Sequence, residues 1–244
     1  QMDLARVIDT AAGARIFGAQ CRIHLADTVP EAFAIRLRAK GASVVRSGQT
    51  YEQSVAAAVQ DAAESGAIHL ADGSWPGYTE PPRLVMEGYT IIAAEMRAEF
   101  AAQDTWPSHV FLQAGVGGLA AAIAYMIRRD WPVQPQIIVV EPDAAPCLRD
   151  SVAGGALLTV DGPVSNMGRL DCKTPSMLAY EILREAADRY VTITDTQALT
   201  GVAEAKRLGY DSTPSGDAGL AALMLDDTLM SAPLVILSEG AEDA

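Results

Sequence analysis

The sequence lacks any long apolar run. No stretch reaches the roughly 18 consecutive apolar residues that a membrane-spanning helix requires. The first residues, QMDLARVIDT, also lack the basic stretch followed by an apolar one that marks a secretory signal. We therefore expect neither membrane insertion nor secretion, and we expect the protein to be cytoplasmic.

Basic residues are scarce. The chain has 18 lysines and arginines against 31 aspartates and glutamates, which leaves a formal net charge of −13 and an isoelectric point near 4.6. Such a surface repels nucleic acids and anionic membranes. The acidic residues are scattered rather than grouped in blocks, which is typical of a solvated surface. We expect a small molecule as the ligand, with no nucleic-acid or membrane partner.

Cysteine and histidine are equally sparse, with three of each. Cys21, Cys147 and Cys172 lie far apart and show none of the short spacings of metal sites. An odd number of cysteines without a secretory signal is typical of reduced cytosolic thiols. Each histidine lies beside or within an apolar, strand-like run, where a structural role is more common than a catalytic one. We expect no metal site.

Strand and helix patterns alternate along the chain, which predicts an α/β fold with mostly parallel strands. The predicted strands cover residues 21–25, 43–48, 109–113, 137–141, 190–195 and 232–240. The predicted helices cover residues 29–42, 50–66, 84–102, 175–189, 196–209 and 215–230, with a further helix after the glycine cluster at 115–118. Thr50 is the expected N-cap of one helix, and Asp195 or Thr196 that of another.

Two segments interrupt this alternation. Residues 68–83 carry three prolines and two glycines close together, which predicts a loop or an interdomain passage. Residues 151–175 are rich in glycine and predicted to be irregular.

The glycine cluster is the strongest chemical signal. GVGGLA, residues 115–120, follows the apolar run HVFLQ and opens a helix, so its backbone N–H groups are placed to hold a phosphate. The spacing satisfies G-x-G-x-x-[G/A], and Glu141 ends the next strand, as in a dinucleotide-binding fold. Pro142 directly follows Glu141, and the segment after it is interrupted by a further proline. Both features argue against a dinucleotide-binding site. Glycines at such a turn also serve close packing alone.

Longer motifs narrow the choice. FLQAGVGGLAAAIA, IIVVEPDAAPCL, LADGSWPGYTEPPRLVMEGYTIIAAE, LDCKTPSMLAYEIL, SGDAGLAAL and VILSEG occur in this chain. In these motifs the sequence resembles the diaminopropionate ammonia-lyases of the fold type II pyridoxal-phosphate family, together with threonine and serine dehydratases. The resemblance covers roughly residues 14–243. It implies a two-domain α/β fold with parallel sheets flanked by helices, a pyridoxal 5'-phosphate cofactor and a homodimer.

The resemblance also assigns roles to residues. Gly115, Val116, Gly117 and Gly118 would hold the cofactor phosphate with their N–H groups. Ser238 matches the position whose hydroxyl faces the pyridine nitrogen, and is otherwise a strand-end residue.

Asp72 matches an aspartate of the lyase pocket and would act as a catalytic residue, orienting substrate amino groups or assisting proton transfer. Its other interpretation is an ordinary turn aspartate before Gly73. Trp75 and Tyr78 either wall the pocket or pack in the core. Ser215 lies either near the cofactor or at a helix N-cap.

The lysine that binds the cofactor aldehyde in that family has no counterpart here. Lys40 ends a surface helix, Lys173 replaces a small residue of the family motif, and Lys206 lies on an amphipathic helix. We expect residues 1–70 to be the remnant of a small domain and residues 71–244 the large cofactor-binding domain. An N-terminal portion with the Schiff-base lysine would then be missing, and these residues alone would be inactive.

The reaction that the resemblance implies is an α,β-elimination of amino-acid catabolism, which converts 2,3-diaminopropionate to pyruvate and two ammonia molecules. Three alternatives stay open: a serine or threonine dehydratase of the same fold, an NAD-binding oxidoreductase, and a lysine-free relative without catalysis.

Overall fold

The computed structural model describes residues 4–49, 51–228 and 230–240. Contacts divide the chain into two compact units, Gln1–Leu70 and Ala71–Ala244. The elements of the first unit are α1 (Leu4–Ile16), β1 (Arg22–Leu25), α2 (Glu31–Ala39), β2 (Ser43–Arg46) and α3 (Tyr51–Ser65). Those of the second unit are α4 (Glu80–Gln103), β3 (His109–Gln113), α5 (Gly118–Asp130), β4 (Gln136–Pro142), α6 (Cys147–Gly154), α7 (Met177–Ala186), β5 (Arg189–Ile193), α8 (Asp195–Arg207), α9 (Ala218–Leu225) and β6 (Pro233–Val235).

The first unit is built on a parallel pair of strands, β1 and β2. Its core includes Leu25 and Leu37, which are fully buried. The His24 ring contacts two polar side chains: its Nδ1 lies 2.8 Å from the Ser47 hydroxyl, and its Nε2 lies 3.0 Å from an Asp61 oxygen. These two contacts connect β1 to the residue after β2 and to α3.

The second unit contains a four-stranded sheet in the order β5-β4-β3-β6, and each of its strand pairs is parallel. Parallel strands need crossover connections, which the intervening helices supply. The prediction of an α/β fold with parallel sheets is confirmed.

Both faces of this sheet are covered. Successive side chains of a strand point to opposite faces. Val110 and Leu112 accordingly pack into one apolar cluster with α5 and α7, whereas Phe111 packs into another with α8 and α9. The near-continuous apolar runs of β3 and β4 follow from burial on both sides.

Helix α4 begins earlier than the sequence predicts. Pro81 and Pro82 lie in its first turn, after Thr79 as N-cap. Proline content predicts a loop here, but the first turn of a helix tolerates proline because its N–H groups have no intrahelical acceptor. The loop predicted for residues 68–83 therefore ends at Thr79.

Other boundaries also differ. Thr194, rather than Asp195 or Thr196, caps α8, in a reciprocal capping box with Gln197. The Asp195 carboxylate instead accepts from the Ser165 hydroxyl and the Asn166 N–H. The N-cap predicted at Thr50 lies outside the described residues.

Two predicted elements of the second unit are shorter than expected. The helix predicted over 215–230 covers only Ala218–Leu225, and its N-cap is Asp217 rather than Ser215. The strand predicted over 232–240 pairs with β3 as far as Val235, and the next carbonyl, that of Ile236, accepts from the Gln113 side chain.

Two helices went unrecognised in the sequence. They are α1 and α6, the latter beginning directly after Pro146. Among the described residues, no helix is both long and apolar enough to cross a membrane.

Candidate active site

The glycine cluster lies at the carboxyl ends of the strands in the second unit, where α/β sheets bind ligands. It connects β3 to α5. The chain passes from β3 to β4 on one side, whereas β6 pairs with β3 on the other. The loops that follow β3 and β6 therefore meet at a topological switch point of the sheet.

Two of the glycines are required by packing. Gly117 has a φ of +97°, a value that residues with a side chain rarely adopt. A Cβ at Gly117 would also lie 2.9 Å from Leu148 Cδ1 and 3.0 Å from Ala179 Cβ. A Cβ at Gly115 would lie 2.8 Å from the Arg169 carbonyl oxygen. Close packing and phosphate binding thus both call for glycine here.

The loop presents N–H groups to a ligand. Within the described residues, the N–H groups of Gly115, Val116 and Gly117 donate to no backbone carbonyl, and α5 starts at Gly118. The first N–H groups of a helix also lack intrahelical acceptors, and the helix dipole favours an anion there. The geometry fits a phosphate.

Ser238 is brought to this loop by Gln113. The Gln113 Nε2 atom lies 2.9 Å from the Ser238 hydroxyl and 2.8 Å from each of the carbonyl oxygens of Gly216 and Ile236. The backbone N–H of Ser238 also donates to the Gly216 carbonyl. One buried amide, 4% exposed, thereby joins the ends of β3 and β6 to the segment before α9.

A second set of contacts supports the same corner. The Glu239 carboxylate accepts from Arg169 at 2.7 Å and from the Thr213 hydroxyl at 2.6 Å. The Thr213 hydroxyl accepts the Gly216 N–H, and the Ser215 hydroxyl accepts the Arg169 N–H. Ser215 therefore supports the backbone of the segment that packs on Gly115.

Asp72 belongs to a turn that is bonded to the glycine loop through two serines. The Ser74 N–H donates to the Ser176 hydroxyl at 3.0 Å, and the two hydroxyls lie 2.8 Å apart. The Ser176 N–H in turn donates to the Val116 carbonyl at 2.9 Å. The structure thus connects the turn that carries Asp72 to the loop that would hold the phosphate.

Trp75 and Tyr78 stabilise the same turn. Their rings stack with centroids 4.3 Å apart, and their backbones exchange two hydrogen bonds. The Tyr78 hydroxyl accepts the Ala71 N–H. Burial raises the pKa of Tyr78, and the nearby Asp72 charge raises it further. Asp72 and the tyrosine hydroxyl are therefore electrostatically coupled.

Glu141 does not have the role that a dinucleotide site would give it. Its carboxylate is fully buried and accepts the N–H groups of Leu148 and Arg149 at 2.7 and 2.8 Å. Burial raises the pKa of Glu141 to about 7, although these two hydrogen bonds oppose the shift. A carboxylate engaged with the start of α6 cannot bind a ribose, so that interpretation is wrong.

The three lysines occupy different environments. Lys40 and Lys206 are exposed at the ends of α2 and α8. The Lys173 ammonium contacts three protein oxygens. The described residues contain no cluster of three or more histidine, cysteine, aspartate or glutamate side chains suited to a metal ion.

Comparison with known proteins identifies the family. A model of the family described as "Pyridoxal-phosphate dependent enzyme" matches residues 7–239. The chain belongs to this family. The glycine loop is thus part of a pyridoxal-phosphate-dependent enzyme, and pyridoxal 5'-phosphate is the cofactor of the family.

Curated relatives narrow the class. The diaminopropionate ammonia-lyase of Escherichia coli K12 is 33% identical over 190 residues, which are 75% of this chain and 47% of that protein. A protein named probable D-serine dehydratase, from Burkholderia thailandensis, is 32% identical over 198 residues, covering 75% of this chain and 43% of that protein. The chain spans about half the length of the curated relatives it matches.

Solved structures agree with the fold. The Escherichia coli diaminopropionate ammonia-lyase in complex with an aminoacrylate–PLP azomethine reaction intermediate has a TM-score of 0.82 at 27% identity, covering 96% of this chain and 65% of that one. A threonine deaminase from T.th. has a TM-score of 0.87 at 23% identity, covering 98% and 75%, and supports the fold alone. The fold type II prediction is confirmed.

Sequence reasoning missed the residues that assemble the site. The sequence patterns predict no role for Gln113, Ser74 or Ser176, although each lies within one of the longer motifs of the sequence. A buried polar residue in an apolar context is the signal that was available for Gln113, which ends the run HVFLQ.

Proposed function

We propose that the chain is the cofactor-binding part of an ammonia-lyase that catalyses α,β-elimination of 2,3-diaminopropionate to pyruvate and two ammonia molecules. The observation that carries the proposal is the glycine loop, in which the N–H groups of residues 115–117 donate to no backbone carbonyl of the described residues, and which Gln113 joins to Ser238. The similarity to diaminopropionate ammonia-lyases supports the substrate.

In this proposal, the N–H groups of Gly115, Val116, Gly117 and Gly118 bind the cofactor phosphate. Pyridoxal phosphate, when bound, supplies an electron sink for the carbanion formed when the α-proton leaves. The hydroxyl of Ser238 would face the pyridine nitrogen of the bound cofactor. Since its oxygen already accepts from Gln113, its own proton is available for donation to that nitrogen.

Asp72 acts at the substrate end of the site. Its carboxylate binds and orients the amino groups of the substrate, because a protonated amino group is attracted to a carboxylate. The serine pair Ser74 and Ser176 keeps the turn beside the glycine loop, so the carboxylate is preorganised.

We further propose that the Schiff-base lysine lies in a part of the protein outside these 244 residues. Residues 1–70 would belong to its small domain and residues 71–244 to its large domain. Lys173 has its three N–H donors engaged, and Lys40 and Lys206 are exposed, so none serves this role.

We also propose that the intact protein is a homodimer. Light scattering would measure its molar mass in solution.

The test uses the intact protein. Purified protein is expected to show the visible absorption of lysine-bound pyridoxal phosphate, and to release two ammonia molecules per pyruvate from 2,3-diaminopropionate. Cofactor absorption without turnover on any amino acid would contradict the lyase proposal. A colourless protein that turns over nothing would favour the non-catalytic relative.

Asp72→Asn separates catalysis from folding. We expect a loss of turnover with cofactor absorption retained, because the exchange removes charge and keeps shape. Asp104→Asn is the matched control, an exposed aspartate at the end of α4 where asparagine tolerates the positive φ of 49°. Equal turnover in the two variants would remove Asp72 from the mechanism.

A second candidate substrate is D-serine. It is favoured by the 32% identity to the protein named probable D-serine dehydratase and by a solved complex of Escherichia coli diaminopropionate ammonia-lyase with D-serine, at 27% identity and a TM-score of 0.83. Elimination from serine releases one ammonia per pyruvate, so the stoichiometry distinguishes the two substrates.

A further inference from the structure

The Lys173 ammonium is surrounded by protein oxygens. Its Nζ atom donates to the Ala144 carbonyl at 2.9 Å, to the Pro163 carbonyl at 2.8 Å and to an Asp171 carboxylate oxygen at 2.6 Å. A lysine ammonium has three N–H donors and no acceptor. All three donors are therefore used within the protein.

These three oxygens resemble the ligands of a bound cation. Backbone carbonyls and carboxylates replace the hydration shell of monovalent cations in proteins. The Asp171 side chain is 6% exposed, so its charge needs a nearby positive partner. Within the described part of the chain, the other hydrogen bond to this carboxylate is a long one, donated by the Ser165 N–H at 3.4 Å.

The ammonium joins three separate segments: the loop after β4 at Ala144, the irregular stretch at Pro163, and the segment 169–173. The last of these packs directly on the glycine loop, since a Cβ at Gly115 would lie 2.9 Å from Cys172 Sγ and 3.2 Å from Leu170 Cα. The Lys173 ammonium therefore connects the segment that forms this wall of the loop to two other segments.

We propose that Lys173 takes the place of a bound monovalent cation behind the phosphate loop, so that the protein needs no added potassium or ammonium to order this loop. Removing the side chain opens a site for such a cation between Ala144, Pro163 and Asp171. This inference is independent of the reaction proposed above, because its readout is stability rather than turnover.

The test compares thermal unfolding of the intact protein in chloride salts of potassium, ammonium and tetramethylammonium at equal ionic strength. The wild type is expected to have the same melting temperature in all three. Lys173→Ala is expected to melt about 5 °C or more lower in tetramethylammonium, and to recover at least half of that loss in potassium or ammonium.

Two further variants sharpen the comparison. Lys173→Met fills the space without a charge, so it is expected to lose stability with no recovery in potassium or ammonium. Lys206→Ala removes an exposed lysine and is expected to behave as the wild type.

The proposal is overturned if Lys173→Ala melts as the wild type does, if every salt restores it equally, or if Lys173→Met recovers to the same extent. If Lys173→Ala is recovered unfolded, the same salts are compared in refolding from urea. Refolding yields that do not depend on the cation would then overturn the proposal.

Discussion

The Gln113 side-chain amide lies 2.9 Å from the hydroxyl of Ser238, a residue 125 positions later in the chain. Gln113 is the last residue of β3, and Ser238 lies shortly after β6, the parallel strand that pairs with β3. Their contact therefore depends on the register of these two strands. The same amide also contacts the carbonyls of Gly216 and Ile236. A single side chain therefore sets the positions of several segments around the candidate cofactor site.

Replacing Gln113 tests this arrangement. Gln113→Met keeps the volume and leaves buried carbonyl groups without a donor, so we expect a loss of about 2 kcal/mol or more in unfolding free energy. Urea unfolding measures the loss. The binding of pyridoxal phosphate, followed by absorption, should weaken in the same variant. Gln103→Met, at an exposed helical position, is the control and should change neither quantity.

The glycine loop offers a matched pair of substitutions. Gly117→Ala combines a left-handed backbone with contacts of 2.9 and 3.0 Å, so we expect a loss of about 2–4 kcal/mol in stability. At Gly118 the nearest atom to a Cβ is Met86 Cγ at 3.6 Å, an ordinary contact, and alanine should be tolerated. Equal stability of the two variants, measured by chemical unfolding, would refute the packing argument.

Ser176→Ala tests the link between the Asp72 turn and the glycine loop. The variant leaves the buried Ser74 N–H without its acceptor, at an expected cost of about 1–3 kcal/mol. Turnover should fall more than cofactor binding, because the turn carries the proposed substrate-orienting carboxylate. Ser65→Ala, at an exposed position on α3, is the control. Unchanged turnover in Ser176→Ala would separate the turn from the active site.

The burial of the Asp217 carboxylate leads us to expect that the stability of the folded state depends on pH. This carboxylate is fully buried, and within the described residues neither oxygen is hydrogen-bonded to another residue. Burial raises the pKa of Asp217 to about 6; its own backbone N–H opposes this shift, and the Glu239 charge adds to it. The folded state therefore binds more protons than the unfolded state between pH 3.8 and about 6, and stability is lost as the pH rises through this window.

Asp217→Asn removes this penalty. We expect the variant to be more stable than the wild type at about pH 8, by up to about 3 kcal/mol, with the gain shrinking toward about pH 4. Thermal unfolding across this pH range gives the measurement. Asp227→Asn, at an exposed position of the same region, reports the effect of removing a surface charge. A variant that is less stable than the wild type in alkaline buffer would show that the carboxylate is paired in the intact protein.

Part of the fold and site could be predicted from local sequence. Strand and helix periodicities, and the turn at Gly115–Gly118, depend on residues close together in the chain, so the α/β alternation and the glycine loop were both found. The prolines of α4 were misjudged because the same residues end one element and begin another. Helix α6 is not apparent in the sequence because it begins directly after Pro146 in a proline-containing segment, and because its first N–H groups donate to Glu141, which lies on the preceding strand.

What the sequence determined by itself is the α/β class, the glycine turn between β3 and α5, and the absence of a lysine in a suitable motif. The tertiary structure alone decided which distant residues meet. The Gln113–Ser238 pair spans 125 positions and the Ser74–Ser176 pair spans 102. Lys173 finds its oxygens on three segments. Such pairings depend on strand order and on packing across the sheet, which local periodicity does not reveal. Buried polar side chains need hydrogen-bond partners, and these partners can lie far away along the chain.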